Sequence, residues 1–219
     1  MADVHQAAGD EPDETPDLEP RRPGAGSPGD AEPTSPAAFS SSPAARTALA
    51  AAVREIELHV AREGWDAPVR VFALVRTQQA LESEPTLADQ LEPAVLTAAR
   101  SNPWHLTSVE QEGLPPAEDV EDLLAQLSWP STVDGVALTV ERVVLPPAAE
   151  AAMPAEHDAA VAYLMAHPDR TDVRLAVGVL RDGASWCAVR TRTNDSDDKV
   201  GGGPDVVPGL VAALRSTLD

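Results

Sequence analysis

The chain of 219 residues is poor in the residues that most folds and sites are built around. It has one cysteine, one tyrosine and two phenylalanines, and Lys199 is its single lysine. With Cys187 alone no internal disulfide can form, which fits a reducing compartment. No CxxC or HExxH occurs, so the usual zinc frameworks are excluded. No GxSxG elbow surrounds any serine. No run approaches the roughly 18 apolar residues of a membrane-spanning helix. The opening residues, with Asp3, Asp10 and Glu11, lack the basic-then-apolar order of a secretory leader. Positive charge is scarce as well: 36 acidic residues face 16 basic ones, for a formal net charge of −20. Nucleic-acid binding needs a basic footprint to displace counterions, and an anionic membrane surface needs one too. Neither is expected as a partner, and a cytoplasmic location is.

What the chain does have is enough hydrophobic sequence, 43%, for an ordinary core. It begins only after residue 41. Residues 1–41 carry recurrent prolines among Asp, Glu, Ser, Gly and Ala, and cannot bury enough surface to offset their ordering entropy. They are expected to form a disordered acidic tail that the domain does not need for folding. Residues 42–219 then form a single globular domain. Ser42-Pro43 is a helix start, and Leu49, Val53, Ile56 and Val60 make one apolar stripe, predicting a helix over 43–63. Val69–Val75 reads as a buried strand. Thr77 opens a short helix to about Ser83, and Thr86 caps another that Pro93 breaks. The stretch 94–104 is open, and 105–111 is a strand of modest quality. Val120, Leu123, Leu124 and Leu127 predict a helix over 117–128, and alternation predicts a strand from Val136 to Leu145. A helix around 156–166 follows, then a β-hairpin over 172–192, a loop and a last helix bearing Leu210, Val211, Leu214 and Leu218. The expected class is α+β, sandwich-like: one mixed, mostly antiparallel sheet of about five strands packed by helices.

Few residue patterns carry chemistry. Gly24-Ala25-Gly26-Ser27-Pro28-Gly29 matches GxGxxG but follows no strand and opens no helix, so no dinucleotide is expected there. Glu55 and His59 stand four apart on the first helix, a ligand spacing that also describes an ordinary solvated pair. Asn194-Asp195-Ser196-Asp197-Asp198 gathers carboxylates that hard cations favour, without the spacing of a calcium loop. A flexible, solvated loop is the plainer expectation, and no metal or cofactor is assigned. Glu110 and Glu112, if they share a strand face, form the carboxylate pair an acid–base enzyme would use. Thr15-Pro16 in its acidic setting is a candidate phosphorylation site, although a plain spacer is the simpler expectation for the tail.

The hairpin is more informative. A two-residue turn at Asp182-Gly183 would set arginines among the valines. A three-residue loop, Arg181-Asp182-Gly183 with Gly183 left-handed, shifts the register by one and swaps every face. Val173, Leu175, Val177 and Val179 then join Cys187 and Val189. Trp186 falls opposite Gly178, where its ring would cover bare backbone, Arg190 opposite Arg174, and Arg192 opposite Asp172. The second register gathers the apolar residues and is the one expected. It leaves Arg174, Trp186, Arg190 and Arg192 as the candidate site, a cationic patch with an aromatic anchor. Like charges across a ladder are unfavourable unless something negative lies between them. That negative group is either internal (Glu141, a helix carboxylate, the tail) or a protein partner with an acidic segment.

From residue 46 onward the chain resembles an uncharacterised conserved protein family of actinobacteria. The likeness rests on Arg54-Glu55-Ile56-Glu57, Gly64-Trp65-Asp66, Val109-Glu110-Gln111-Glu112, Trp129-Pro130, Val140-Glu141-Arg142, His167-Pro168-Asp169-Arg170, Val173 to Gly183 and Asp205 to Leu210. The resemblance implies a bacterial, cytoplasmic setting and carries over no catalytic residue. The functional expectation is a non-enzymatic protein-binding or adaptor domain, chaperone-like by analogy of fold alone. The alternative is a small enzyme using Glu110 and Glu112 or the Asp195–Asp198 loop.

Overall fold

A computed structural model describes residues 41–219. The tail, its GxGxxG match and Thr15-Pro16 lie outside the described residues. The N-terminal helix α1 runs Pro43–Ala61, with the Ser42 hydroxyl accepting from the Ala44 N–H and Pro43 at the first position. It is followed by β1 (Arg70–Arg76), α2 (Thr77–Ser83), α3 (Pro93–Ser101), β2 (Leu106–Glu110) and α4 (Val120–Ala125). The second half is β3 (Gly135–Val144), α5 (Pro147–Ala151), α6 (His157–Ala166), β4 (Thr171–Leu180), β5 (Ser185–Thr191), β6 (Gly201–Gly203) and α7 (Pro208–Ser216).

The six strands form one open sheet in the order β2-β1-β3-β4-β5-β6, with every neighbouring pair antiparallel. The expected α+β class holds, with two refinements to the sheet. The sheet has no parallel pair, and it has a sixth strand. That strand is Gly201-Gly202-Gly203, which pairs with Cys187–Val189 through backbone alone and so leaves no side-chain pattern to read. Three helices also differ from expectation. Pro93 starts α3 instead of breaking a helix, because a proline at the first helical position gives up an N–H that has no partner anyway. The segment after Glu84 is a 3-10 turn, Pro85–Asp89. The fourth helix is shortened to Val120–Ala125, where the Asp119 carboxylate accepts from the Asp122 N–H and sets the start.

The two sheet faces differ in bulk. Val71, Val136, Leu138, Leu175, Val177, Val179 and Cys187 face α4 and α7 through Leu123, Leu124, Val211 and Leu214. On the other face Ala137, Ala176 and Ala188 meet Leu49, Val53, Ile56 and Val60 of α1. Branched residues fill one layer, and small ones let the long helix approach closely in the other. Gly178 marks the closest approach. A β-carbon there would stand 2.5 Å from the Val53 Cγ2. The space expected to lie under Trp186 is thus taken by α1, because the helix needs it more.

The hairpin adopts the three-residue loop. The Gly183 N–H donates to the Leu180 carbonyl, the Leu180 N–H donates to Ala184, and Gly183 has φ of 91°. Val177 pairs with Cys187, Gly178 with Trp186 and Arg174 with Arg190, as the segregation of apolar faces requires. Ile56 and Leu214 are buried on opposite faces of the sheet. Ile56→Ala and Leu214→Ala are each expected to lower unfolding free energy by about 2–4 kcal/mol. Urea titration checks this, and a loss near zero at either position would remove that helix from the core.

Candidate functional site

The face that brings α1 close also carries Arg174 and Arg190, directly opposite each other on β4 and β5. Their side chains are only 1% and 2% exposed. What lies between them is Glu57 of α1, which is 0% exposed. Glu57 sits four residues after Val53 and three before Val60, inside the apolar stripe. That position sends its carboxylate down onto the strands. The Arg190 Nε donates to its Oε1 at 2.7 Å and Nη2 to its Oε2 at 2.9 Å, a two-point fork. The Arg174 Nη1 stands 3.9 Å from the same carboxylate and has no hydrogen-bond partner. Arg174 is held mainly from β3, where Glu141 Oε1 accepts from its Nη2 at 2.7 Å and from its Nε at 3.2 Å. The Gly64 carbonyl, just past α1, also accepts from Nη2.

The turn after α1 closes the cluster. The Trp65 ring lies 4.5 Å from the Arg174 guanidinium carbon and 5.4 Å from that of Arg192, stacking against both. Asp66 has φ of 67°, a left-handed conformation that Asp tolerates better than most residues. In it the Asp66 N–H donates to Glu141 Oε2 at 2.7 Å, and its carboxylate accepts both Arg192 terminal nitrogens, at 3.0 and 2.8 Å.

The aspartate loop is exposed, as expected, but its side chains are also tied to the cluster. Asp195 accepts from Arg190 Nη1 at 3.1 Å and from the Trp65 indole N–H at 2.8 Å. Asp197 accepts from Arg190 Nη2 at 2.8 Å, and its carbonyl accepts from Arg54 of α1 at 2.9 Å. Its carboxylates answer the strand arginines. Among the described residues no group of three or more His, Cys, Asp and Glu side chains is placed to hold a metal ion.

Charge regulation follows the same contacts. The Glu57 hydrogen bonds, followed by those from Asp197 and Asp195, raise the Arg190 pKa further above its usual value. The Trp65 N–H and then Arg190 hold Asp195 below the ordinary aspartate range, and Arg192 does the same to Asp66.

Arg174 and Arg190 are therefore covered and paired, and the carboxylates foreseen as internal partners are among those that pair them. Arg192 keeps 42% of its side chain exposed, and Trp186 packs partly buried against the α1 core. At the cluster's mouth a 260 Å³ cavity is lined by Asp66, Glu141, Arg142, Met165, Arg170 and Arg192, among others. Cys187 is buried, and burial pushes its thiol up to about 11, so it is no nucleophile at neutral pH. The other carboxylate pair is not assembled. Strand β2 ends at Glu110, which sits 3.6 Å from Arg70 and borders a 200 Å³ cavity with Glu55 and His59. Glu112 lies past that end and does not line it. Glu57 and Trp65 are the residues that the sequence reading passed over.

A family model described as PPA1309-like protein matches residues 49–219. No curated protein and no solved structure matches the chain.

Glu57→Ala would leave two buried guanidiniums without their shared partner. It is expected to cost about 3–5 kcal/mol in a urea titration, and a loss below 1 kcal/mol on that scale would show the carboxylate is dispensable. Asp195 and Asp66 bind protons more weakly in the folded chain than in the unfolded one. Their contribution is complete above about pH 4 and is lost as pH falls through their lowered values. Loop 192–199 should release from Trp65 in that window, shifting tryptophan fluorescence before global unfolding. Asp195→Asn should remove this step, and a wild-type titration without it would contradict the clamp.

Proposed function

The chain belongs to the PPA1309-like protein family, and we propose that it works as a non-catalytic protein-binding or adaptor domain. The observation that carries this reading is helix α6. From Ala159 to Ala166 it holds eight consecutive residues without charge, yet none of its residues is buried. A helix apolar all round belongs inside something. Val144, Met153, Val161 and Met165, four of the six large apolar side chains that the described chain leaves exposed, fall in or beside the β3–β4 excursion that carries it. Exposed apolar surface concentrated on one excursion of the chain is a common mark of a docking site, and a chaperone-like grip on an apolar segment is one form of it.

The partner's chemistry is read from the base of this arm. Arg142, Arg170 and Arg192 line the cavity that Met165 also borders. Arg170 donates to the Met165 carbonyl at 2.8 Å and, among the described residues, has no carboxylate within ion-pair distance. Among the described residues Arg142 reaches one carboxylate, that of the exposed Glu121, at 3.6 Å. In a chain of net charge −20, cations beside an apolar helix suit an apolar segment carrying acidic residues. Among the described residues no helix is long and apolar enough to cross a membrane. An actinobacterial, cytoplasmic setting completes the reading, in keeping with arginine in place of lysine and a single thiol.

A photo-crosslinking residue at position 161 of the full chain, expressed in native cells, is expected to trap one discrete partner. Val161→Glu with Met165→Glu should reduce co-purification of that partner at least tenfold, while leaving stability within about 0.5 kcal/mol, because both side chains face solvent. Unchanged recovery, or no adduct from position 161, would refute the proposal.

A further inference from the structure

The sheet ends in two open edges, β2 and β6. Strand β6 is glycine throughout and presents no side chain that could choose a partner. Strand β2 is different. Its pairing with β1 is unbroken from Leu106 to Glu110, with no bulge. It contains neither proline nor lysine, the residues that commonly blunt an edge. Ser108, Val109 and Glu110 are exposed.

The register decides which main-chain groups are free. In an antiparallel ladder alternate residues turn both N–H and C=O to the same neighbour. The Gln111 N–H donates to the Val71 carbonyl at 2.8 Å, and the Thr77 N–H donates to that of His105 at 3.0 Å. The odd-numbered positions of β2 therefore face β1. The N–H and C=O of Ser108 and Glu110 point outward, where the sheet has no further strand. An added antiparallel strand would pair with those two residues. Side chains directly opposite one another share a face. Residues set opposite Ser108 and Glu110 would project to the α1 side, and the residue between them to the other side.

Each face then asks for its own kind of side chain. On the α1 side lies the 200 Å³ cavity lined by Glu55, Ile56, His59, Phe72, Ser108 and Glu110. Its carboxylates are short of cations. Glu55 has no ion-pair partner among the described residues. Glu110 stands 3.6 Å from Arg70, which Glu63 already holds through both oxygens. Just past the strand Glu112 is exposed as well. On the opposite face Val109 is 47% exposed.

We propose that the β2 edge takes an extended segment of a partner protein as a further antiparallel strand, one in which two basic residues flank an apolar one. The basic residues, about 7 Å apart along the strand, lie opposite Ser108 and Glu110 and put their charge beside Glu110 and Glu55. The apolar residue lies beside Val109. Main-chain pairing supplies the attachment and the alternating side chains supply the choice of partner. A second copy of the chain is a poor occupant. Edge to edge it would gather Glu55, Glu110 and Glu112 of two molecules, each of net charge −20, along one seam. The chain's own N-terminal segment is poor as well. Its only arginines, Arg21 and Arg22, are adjacent, so an extended chain sends them to opposite faces, and the flanking Pro20 and Pro23 have no N–H to donate. This surface is separate from the α6 arm, and its preference in charge is the reverse.

The test titrates the isotope-labelled full chain with an acetylated and amidated peptide, Thr-Thr-Lys-Val-Lys-Thr-Thr, and follows amide shifts by NMR. Binding at millimolar concentration is expected, with the largest shifts at Ser108 and Glu110. Two altered peptides separate the contributions. Methylating the main-chain nitrogens of both lysines removes the ladder and keeps the charge. Replacing both lysines by glutamate keeps the ladder and inverts the charge. Each should bind at least about tenfold more weakly, the scale of one or two hydrogen bonds. Ser108→Pro removes an N–H that β1 does not use, and should weaken the lysine peptide by a similar factor. Glu55→Gln changes an exposed, unpaired carboxylate, and should weaken it by about threefold. No binding of the lysine peptide at millimolar concentration would overturn the proposal. So would shifts centred away from β2, equal binding of either altered peptide, or unchanged binding to a folded Ser108→Pro protein. If that variant does not fold, the methylated peptide decides.

Discussion

Two guanidiniums opposite each other on neighbouring antiparallel strands repel, and burying them without a counter-charge would cost more than a small domain has to spare. Glu57 resolves this at Arg174 and Arg190, and much of the surrounding structure follows from how it does so. Because the carboxylate is presented from α1, the helix must lie at one height over β4 and β5. A slip of one turn along its axis would move the charge by about 5.4 Å and strand it against alanine. The ion cluster thus sets the register of a helix whose apolar contacts, made to small residues, would tolerate several positions. Burying ionic groups is a poor source of net stability, but it is a good source of uniqueness where hydrophobic packing is permissive.

The cluster then recruits its own cover. One glutamate cannot neutralise two arginines, and the remaining acceptors come from three separate places in the chain. Glu141 is supplied by β3, Asp195 and Asp197 by the loop after β5, and the Gly64 carbonyl by the turn after α1. Trp65 sits over the assembly and joins two of these by donating to Asp195. The left-handed Asp66 lets the same turn reach Glu141 with its N–H and Arg192 with its side chain. Residues some 130 positions apart in sequence are held in one network, so the loop is ordered by charge rather than by burial of apolar surface.

How much of this the sequence reveals depends on whether a residue's role is set by its neighbours along the chain. The hairpin register was legible because a one-residue slip would have mixed arginines with valines. Helix α1 was legible from its cap and stripe. Glu57 was legible in principle: a carboxylate at a stripe position, in a chain with two arginines on one strand face, asks for that pairing. The flanking Glu55 and His59 drew attention instead because their spacing suits a metal. The clamp on Asp195 and Asp197 was not legible, since a run of aspartates in a loop looks the same whether or not a buried arginine waits beneath it. Strand β6 was hidden by having no side chains. Of the candidate patch, the facing of the four residues followed from pattern, but their exposure depended on what α1 carried over them. Helix α6 was readable as a helix, while its failure to bury anything is a fact of tertiary structure alone.

A cluster whose arginines are almost fully paired from within also restricts where function can lie. Arg174 and Arg190 have their partners within the domain, so drawing either toward a ligand would leave Glu57 buried and uncompensated, at a cost of several kcal/mol. The network can support a site but is poorly suited to be one. Apart from Arg174 Nη1, the groups without an internal partner stand at its margins. On one side is the apolar α6 arm with Arg170; on the other is the outer edge of β2 with Glu55. Each is built on an element that the core fixes: the arm on the open end of the β3–β4 pair, the edge on β1. Strands β3 and β4, which carry the arm, are paired along their length and packed on both faces through most of it. The internal charges of the cluster are paired except at Arg174 Nη1, and the exposed cationic and apolar groups of the β3–β4 arm lie outside that network.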